Sequence, residues 1–231
     1  GLENSVRGLR DFNKLFVESL PSELEIVKPQ VALYESFGSR GLAELESLLV
    51  ELNRLGKYVI ADAKRSDIGS SMAGYANAWL SAEAPFLANA LTVSPFLGAG
   101  SLTSTFELAT KNGKQVFVLV ATSNPEAVKL QSNGLSKSIL EQLTEIKSKS
   151  VGVVIGATVD LEKYGLAGAL SSSSFPILAP GFGVQGAELA QTGNIFGDLS
   201  SRVIANVSRS VLAGEKSSLG SRITKALGEL S

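Results

Sequence analysis

The sequence predicts an α/β fold, a (β/α)8 TIM barrel with its first strand absent from the numbered chain. Three observations predict it. Helical and strand patterns alternate almost from end to end. The strands are short and apolar on both faces, as in a parallel sheet covered by helices. The connections are short and polar, with no low-complexity linker between them. A chain of 231 residues, 44% hydrophobic, supplies one substantial core, so residues 1–231 are expected to form a single barrel domain.

The elements read as follows. Val6, Leu9, Phe12, Leu15, Phe16 and Leu20 fall on one face of a helix over 6–20, which Pro21 stops. A strand follows over 26–32, then a helix over 42–55 ended by Gly56. The next strand covers 58–64, and Ser70 caps a helix running through Trp79. Further strands read at 90–93, 116–121, 151–155, 175–178 and 203–205. Further helices read near 101–111, 136–148, 160–169, 185–192 and 217–230. The count is seven strands to eight helices, and the chain opens on a helix. A closed barrel needs a strand ahead of that helix, which places one upstream of Gly1. An open doubly wound sheet is the runner-up. It more often carries a glycine-rich fingerprint after its first strand, and no GxGxxG stands here.

Composition narrows the chemistry. There is no cysteine, which removes disulfides, thiolate nucleophiles and cysteine metal sites. There is no histidine either, which removes Ser-His-Asp and Cys-His machinery and the HExxH zinc helix. An enzyme built from this chain moves protons with Lys, Asp, Glu, Tyr or water. The net charge is -1, from 21 basic and 22 acidic residues, and no basic block points to nucleic acid or a membrane surface. The apolar runs end well short of the roughly 20 residues of a membrane span. With no export signal read at GLENSVRG, a cytoplasmic location is expected.

The segment Asp62–Ala63–Lys64–Arg65–Ser66–Asp67–Ile68–Gly69–Ser70–Ser71 is the most informative. Side chains alternate along a strand, so Asp62 and Lys64 share one face while Ala61 and Ala63 take the other. On a barrel strand that face is the interior at the carboxyl end, where barrel active sites lie. Carboxylates two residues before and three residues after Lys64 favour its ammonium form. A bare DxKxxD pattern is more often a structural ion pair; its place at a strand end makes the catalytic reading the stronger one. Lys28 is the other charge in a largely apolar strand. Alone it reads equally well as a strand-end lysine snorkelling to solvent. If its strand neighbours that of Asp62, an alternating Lys–Asp–Lys–Asp chain forms.

Two loops suggest an anion site. Ala179–Pro180–Gly181–Phe182–Gly183–Val184–Gln185–Gly186 is glycine-rich and leads toward a helix, and Asn206–Val207–Ser208–Arg209–Ser210 follows the next strand. Phosphate sites of such barrels often use the loops after the seventh and eighth strands, and Arg209 offers a planar fork for phosphate. Thr122–Ser123–Asn124–Pro125 reads as a turn, able to present polar groups to a heterocycle.

The segments VKPQVALYE, IADAKRSDIGSS, LTVSPFLGAGSL, TSNPE and APGFGVQG, in this order, resemble the orotidine 5′-phosphate decarboxylase family, especially its bacterial branch with a DAKRxDIGS-type motif. The resemblance spans nearly the whole chain. It implies decarboxylation of a phosphorylated pyrimidine nucleotide without metal or organic cofactor, in pyrimidine nucleotide biosynthesis. It implies Lys64 as proton donor to C6, Asp62 beside the substrate carboxylate and Lys28 bridging the charge network. It also implies a homodimer in which Asp67, with Ile68 beside it, reaches the neighbouring subunit's site. Ser71 falls where the family has a hydroxyl near the ribose. Ser123 is implied to contact the pyrimidine edge, Gln185 and Arg209 to hold the 5′-phosphate, and Pro180 to belong to the substrate-binding set. Two departures stand out. The family's first strand ends in an aspartate that no position here matches, and Ser66 stands where the branch commonly has glycine.

Two alternatives stay open at this stage. One is a sister barrel of phosphosugar chemistry that uses a DxKxxD segment with a metal ion and an enediolate. The other is a non-catalytic barrel that binds a phosphorylated ligand.

Overall fold

Seven parallel strands form one sheet in strict chain order, each hydrogen-bonded to the next, in the computed structural model, which describes residues 2–230. The order of elements is α1 (Val6–Glu18), β1 (Ile26–Val27), α2 (Val31–Glu35), α3 (Gly38–Arg54), β2 (Tyr58–Arg65), α4 (Gly69–Leu80), β3 (Ala90–Val93), α5 (Thr103–Lys111) and β4 (Gln115–Ala121). Then follow α6 (Val128–Leu130), α7 (Ser136–Ile146), β5 (Val151–Ile155), α8 (Ala167–Ser171), β6 (Ile177–Pro180), α9 (Thr192–Phe196), β7 (Val203–Asn206), α10 (Arg209–Leu212) and α11 (Leu219–Gly228). Among the described residues no strand pairs with the outer edges of β1 and β7, so the curled sheet is open along that seam.

Alternation along the strands separates two cores. Ile60, Ala90, Phe117, Val154 and Leu178 meet inside the curl, with Ile26, Tyr58, Leu119 and Ile204 packed against them. Their neighbours in sequence, such as Val59, Leu91, Val116, Val118 and Val153, face outward against the helices. Phe117 is fully buried and fills the interior because the facing residue on β5 is Gly152. A Cβ there would come within 2.6 Å of its ring. Burying that one ring is worth about 3 kcal/mol. The interior is therefore a packed plug below the strand ends, and it forms the floor of the site.

The first helices anchor the segment that carries Lys28. Ser5 caps α1 by accepting the Gly8 N–H at 3.1 Å. Buried Asn13 donates to the Glu44 carbonyl at 3.1 Å and accepts the Tyr34 hydroxyl at 2.7 Å. This ties α1, α2 and α3 together just behind β1.

The sequence places the strands well and several boundaries less well. The strand expected over 26–32 is only two residues long. Pro29 has no N–H for the ladder, and α2 begins at Val31. Contact with β2 persists only as an isolated bridge between Gln30 and Asp62. The strand expected at 175–178 starts at Ile177, after Pro176, for the same reason. Ile68, not Ser70, holds the N-cap position of α4, and Ser70 lies in the first turn. The helix expected over 160–169 is broken by Gly165, whose φ of +67° ends one turn before α8 starts. In place of a helix over 185–192 there is a tight glycine turn, a 3-10 segment at Leu189–Gln191, and then α9.

Candidate active site

The carboxyl end of β2 departs from regular strand geometry. The β2–β3 register runs Ala61 to Leu91 and then Arg65 to Val93, so β2 carries two extra residues in a bulge. Lys64 lies in that bulge with φ +49°, a left-handed conformation uncommon for a side-chain-bearing residue. The bulge takes the Lys64 N–H out of the ladder, and the Thr92 hydroxyl accepts it at 3.0 Å. The turn re-aims the lysine so that its ammonium folds back over the carboxylate two residues earlier.

Asp62 is the hub. It is buried, and its Oδ1 accepts the Lys64 ammonium at 2.5 Å and the Thr92 hydroxyl at 3.0 Å. Its Oδ2 accepts the Lys28 ammonium at 2.6 Å and the Gln30 amide at 3.2 Å. Four donors, two of them charged, saturate one carboxylate. Burial pushes the Asp62 carboxyl up, but Lys28 and then Lys64, through charge and hydrogen bonding, outweigh it and hold the carboxyl below its ordinary value. The two lysines differ in access. The Lys28 side chain is 12% exposed and that of Lys64 46%, so Lys28 supports from within while Lys64 meets whatever enters.

What enters has room. A cavity of about 580 Å³ is lined by Lys28, Asp62, Lys64 and Thr92 at its polar base, and by Phe12, Phe16, Leu24 and Ile223 where it extends along the open seam between β1 and β7. Thr122, Ser123, Asn124, Pro180, Gln185 and Arg209 also line it. The ends of β4, β5 and β6 converge closely there: a Cβ on Gly156 would lie 2.8 Å from the Ser123 nitrogen. The glycine-rich turn and the loop after β7 meet at Gly183. Its φ is +77°, and a Cβ on it would come 2.6 Å from the Ser210 hydroxyl oxygen. Glycine is thus required for conformation and for close approach alike. Gln185 and Arg209 are both exposed.

The structure brings Lys28, Asp62, Lys64, Ser123, Pro180, Gln185 and Arg209 to one cavity. Asp67, Ile68 and Ser71 lie outside its wall. The Asp67 carboxylate accepts the Ile68 N–H at 2.8 Å, and among the described residues the ion pair of Lys64 is with Asp62. Within one chain, then, Lys64 is held by one carboxylate and not by the two that the DxKxxD spacing suggests. Sequence reasoning missed Gln30 and Thr92. Thr92 left a faint signal: it is the polar residue on the inward face of a four-residue strand otherwise made of Ala90, Leu91 and Val93.

Fold and site together define a parallel-barrel enzyme with a lysine–aspartate cluster at the carboxyl ends of its strands. The orotidine 5′-phosphate decarboxylase / HUMPS family profile matches residues 9–218. An orotidine 5′-phosphate decarboxylase of Corynebacterium efficiens is 44% identical over 227 residues, covering 92% of this chain and 79% of that protein. A Streptomyces avermitilis structure described as an orotidine 5′-phosphate decarboxylase superposes with a TM-score of 0.89 at 40% identity, covering 100% of this chain and 84% of that one. The Leishmania donovani OMP decarboxylase structure gives 0.76 at 26% identity, covering 98% and 89%. This chain belongs to the orotidine 5′-phosphate decarboxylase family.

Proposed function

We propose that this chain decarboxylates orotidine 5′-phosphate to uridine 5′-phosphate in pyrimidine nucleotide biosynthesis, with Lys64 as proton donor and without metal or organic cofactor. The observation that carries the reading is a single buried carboxylate, Asp62, bound to both Lys28 and Lys64 at the base of the cavity that Gln185 and Arg209 also line. In the reaction the bond from C6 to the carboxylate breaks, CO2 leaves, and the electron pair stays on C6. That pair is poorly delocalised. A preorganised ammonium stabilises it as it forms and then transfers a proton to it. Asp62 keeps Lys64 charged and aimed, and Lys28 keeps Asp62 ionised. In this reading Ser123, which lines the same cavity, meets the pyrimidine edge.

The Asp62 oxygens are already occupied by ammonium groups, which makes this carboxylate a poor metal ligand. That favours the decarboxylase over the metal-dependent sister chemistry. Turnover of orotidine 5′-phosphate is therefore expected to be unchanged by EDTA. Inhibition by EDTA that Mg²⁺ reverses would point to the sister class instead.

Gln185 and Arg209 hold the 5′-phosphate in this reading, and the loop following Gln185 acts as a lid. Phosphate binding is remote from C6, so its energy can drive closure and raise kcat as well as affinity. Arg209 is exposed and has no ion pair among the described residues, so its guanidinium is available. Arg209→Ala is expected to weaken inhibition by uridine 5′-phosphate about 10- to 100-fold, the range of a charged hydrogen bond. It should leave binding of uridine nearly unchanged; equal losses for both ligands would remove the phosphate role.

The reading includes a cytoplasmic homodimer of single-domain barrels, with Asp67 and Ile68 of each subunit serving the other's site and Ser71 near the ribose. Ile68 is 60% exposed and Phe96, on the loop after β3, is 76% exposed; both are apolar groups that such a contact would bury.

A further inference from the structure

We propose that Thr92 is a positioning residue for catalysis: its one hydroxyl locks the Asp62 carboxylate and the bulged backbone of Lys64 into a single geometry. The inference rests on the decarboxylase reading above and concerns how Lys64 comes to point where it does.

A hydroxyl has one proton to donate and lone pairs to accept with. Thr92 uses both. It accepts the Lys64 backbone N–H at 3.0 Å and donates to Asp62 Oδ1 at 3.0 Å. The direction of the second bond is fixed, because an ionised carboxylate can only accept. The same Oδ1 receives the Lys64 ammonium at 2.5 Å. The contacts therefore close a ring from the Lys64 N–H through Thr92 and Asp62 back to the Lys64 side chain. Backbone and ammonium of one residue are held at opposite ends of that ring.

The fold makes this arrangement necessary. With φ +49°, Lys64 is in a conformation that persists only where its surroundings enforce it. The bulge leaves its N–H without a strand partner, and Thr92 lies on β3 between the two registered pairs that flank the bulge. Thr92 is 1% exposed, so water does not readily substitute for its hydroxyl. Its inward direction follows from alternation, since Ala90 on the same face belongs to the interior plug while Leu91 and Val93 face the helices. Without the hydroxyl, the Lys64 N–H and one site on Asp62 lose their partner together, and the ammonium is free to drift. Misplacing a catalytic group by about 1 Å can cost about 10²-fold in rate.

The test is steady-state kinetics on orotidine 5′-phosphate with Thr92→Val, which keeps shape and removes the hydroxyl, and Thr92→Ser, which keeps the hydroxyl and removes the methyl. Thr105→Val is the matched control. Thr105 is a fully buried threonine on α5, its hydroxyl oxygen lacks a hydrogen-bond partner, and it lies outside the site. The expected result is a kcat about 10- to 100-fold lower for Thr92→Val, with KM changed by less than about threefold. Thr92→Ser should recover most of the lost kcat, and Thr105→Val should match the unmutated chain. A Thr92→Val kcat within about twofold of the unmutated value overturns the proposal. So does an equal kcat loss in Thr92→Ser, which would trace the effect to packing of the methyl group. Should Thr92→Val fail to fold, Thr92→Cys carries the same test, since its thiol is only a weak donor and acceptor. Absence of turnover by the unmutated chain would overturn the decarboxylase reading and this one with it. Turnover that is indifferent to the Thr92 hydroxyl would overturn this one alone.

Discussion

Lys64→Ala abolishes decarboxylation of orotidine 5′-phosphate, lowering kcat by at least about 10³-fold, and leaves the protein folded; this is the expected result with the largest effect on rate. The magnitude follows from what the side chain supplies. Among the described residues it is the one ammonium that both contacts Asp62 and is substantially exposed, and in the proposed reaction it contributes the charge that meets the developing carbanion and the proton that quenches it. Folding survives because the truncated side chain is nearly half exposed, so its removal opens no sealed void. Asp62 also keeps Lys28, Gln30 and Thr92 as partners. Lys64→Arg sharpens the experiment. It preserves positive charge, but a guanidinium holds its proton too tightly to give it up and is planar and larger than an ammonium. It is expected to remain near the activity of the alanine variant. The measurement is kcat from single-turnover and steady-state assays, with circular dichroism to confirm the fold. A Lys64→Ala enzyme turning over near the unmutated rate would mean that the proton comes from elsewhere.

Much of this site is legible in the sequence because a barrel converts sequence spacing into geometry. Asp62 and Lys64 lie two apart on a strand, so alternation alone sends them to one face. The seven strands read from apolar runs are the seven that pair, in chain order. The link from Lys28 to Asp62 needs only that β1 and β2 be neighbours, which parallel order supplies. What was hidden depends on irregularity. The bulge that gives Lys64 a positive φ has no glycine to mark it, so the need for Thr92 at its back is invisible along the chain. Gln30 reaches Asp62 only because Pro29 ends β1 early and the chain turns into α2. Pro29 was visible, but its consequence was not, since an apolar run continues through Val31 and Ala32. The second carboxylate of the DxKxxD pattern stands apart. Within one chain Asp67 accepts the Ile68 N–H and is not paired with Lys64. Spacing constrains contacts along a strand and loses its hold once the chain enters a loop, where a residue can serve a different subunit's site.

Asp62→Asn is expected to cost both stability and activity, and the combination separates a catalytic hub from an ordinary ion pair. The substitution keeps the size of the side chain and removes its charge. The amide nitrogen then has to face an ammonium group, donor against donor, because all four neighbours of Asp62 donate to it. Lys28, with a side chain 12% exposed, is left without a counter-charge. Breaking one side of a buried pair costs about 3–5 kcal/mol, which for a chain of this size lowers Tm on the order of 10 °C. The pH dependence follows from sign. The Asp62 carboxyl is held below its ordinary value in the folded chain, so its contribution to stability is full above the unfolded value of about 3.9. That contribution is lost as pH falls through the folded value. The stability gap between the parent and Asp62→Asn is therefore widest near neutral pH and closes as the solution is acidified below about pH 4. Activity should fall at least about 10³-fold, since Lys64 loses the partner that fixes its ammonium. Thermal melts of both proteins between neutral and acidic pH, paired with kcat at neutral pH, decide the matter. A variant that melts lower but turns over normally would make Asp62 a structural ion pair, and a gap that widens on acidification would contradict the ionised carboxylate on which the site is built.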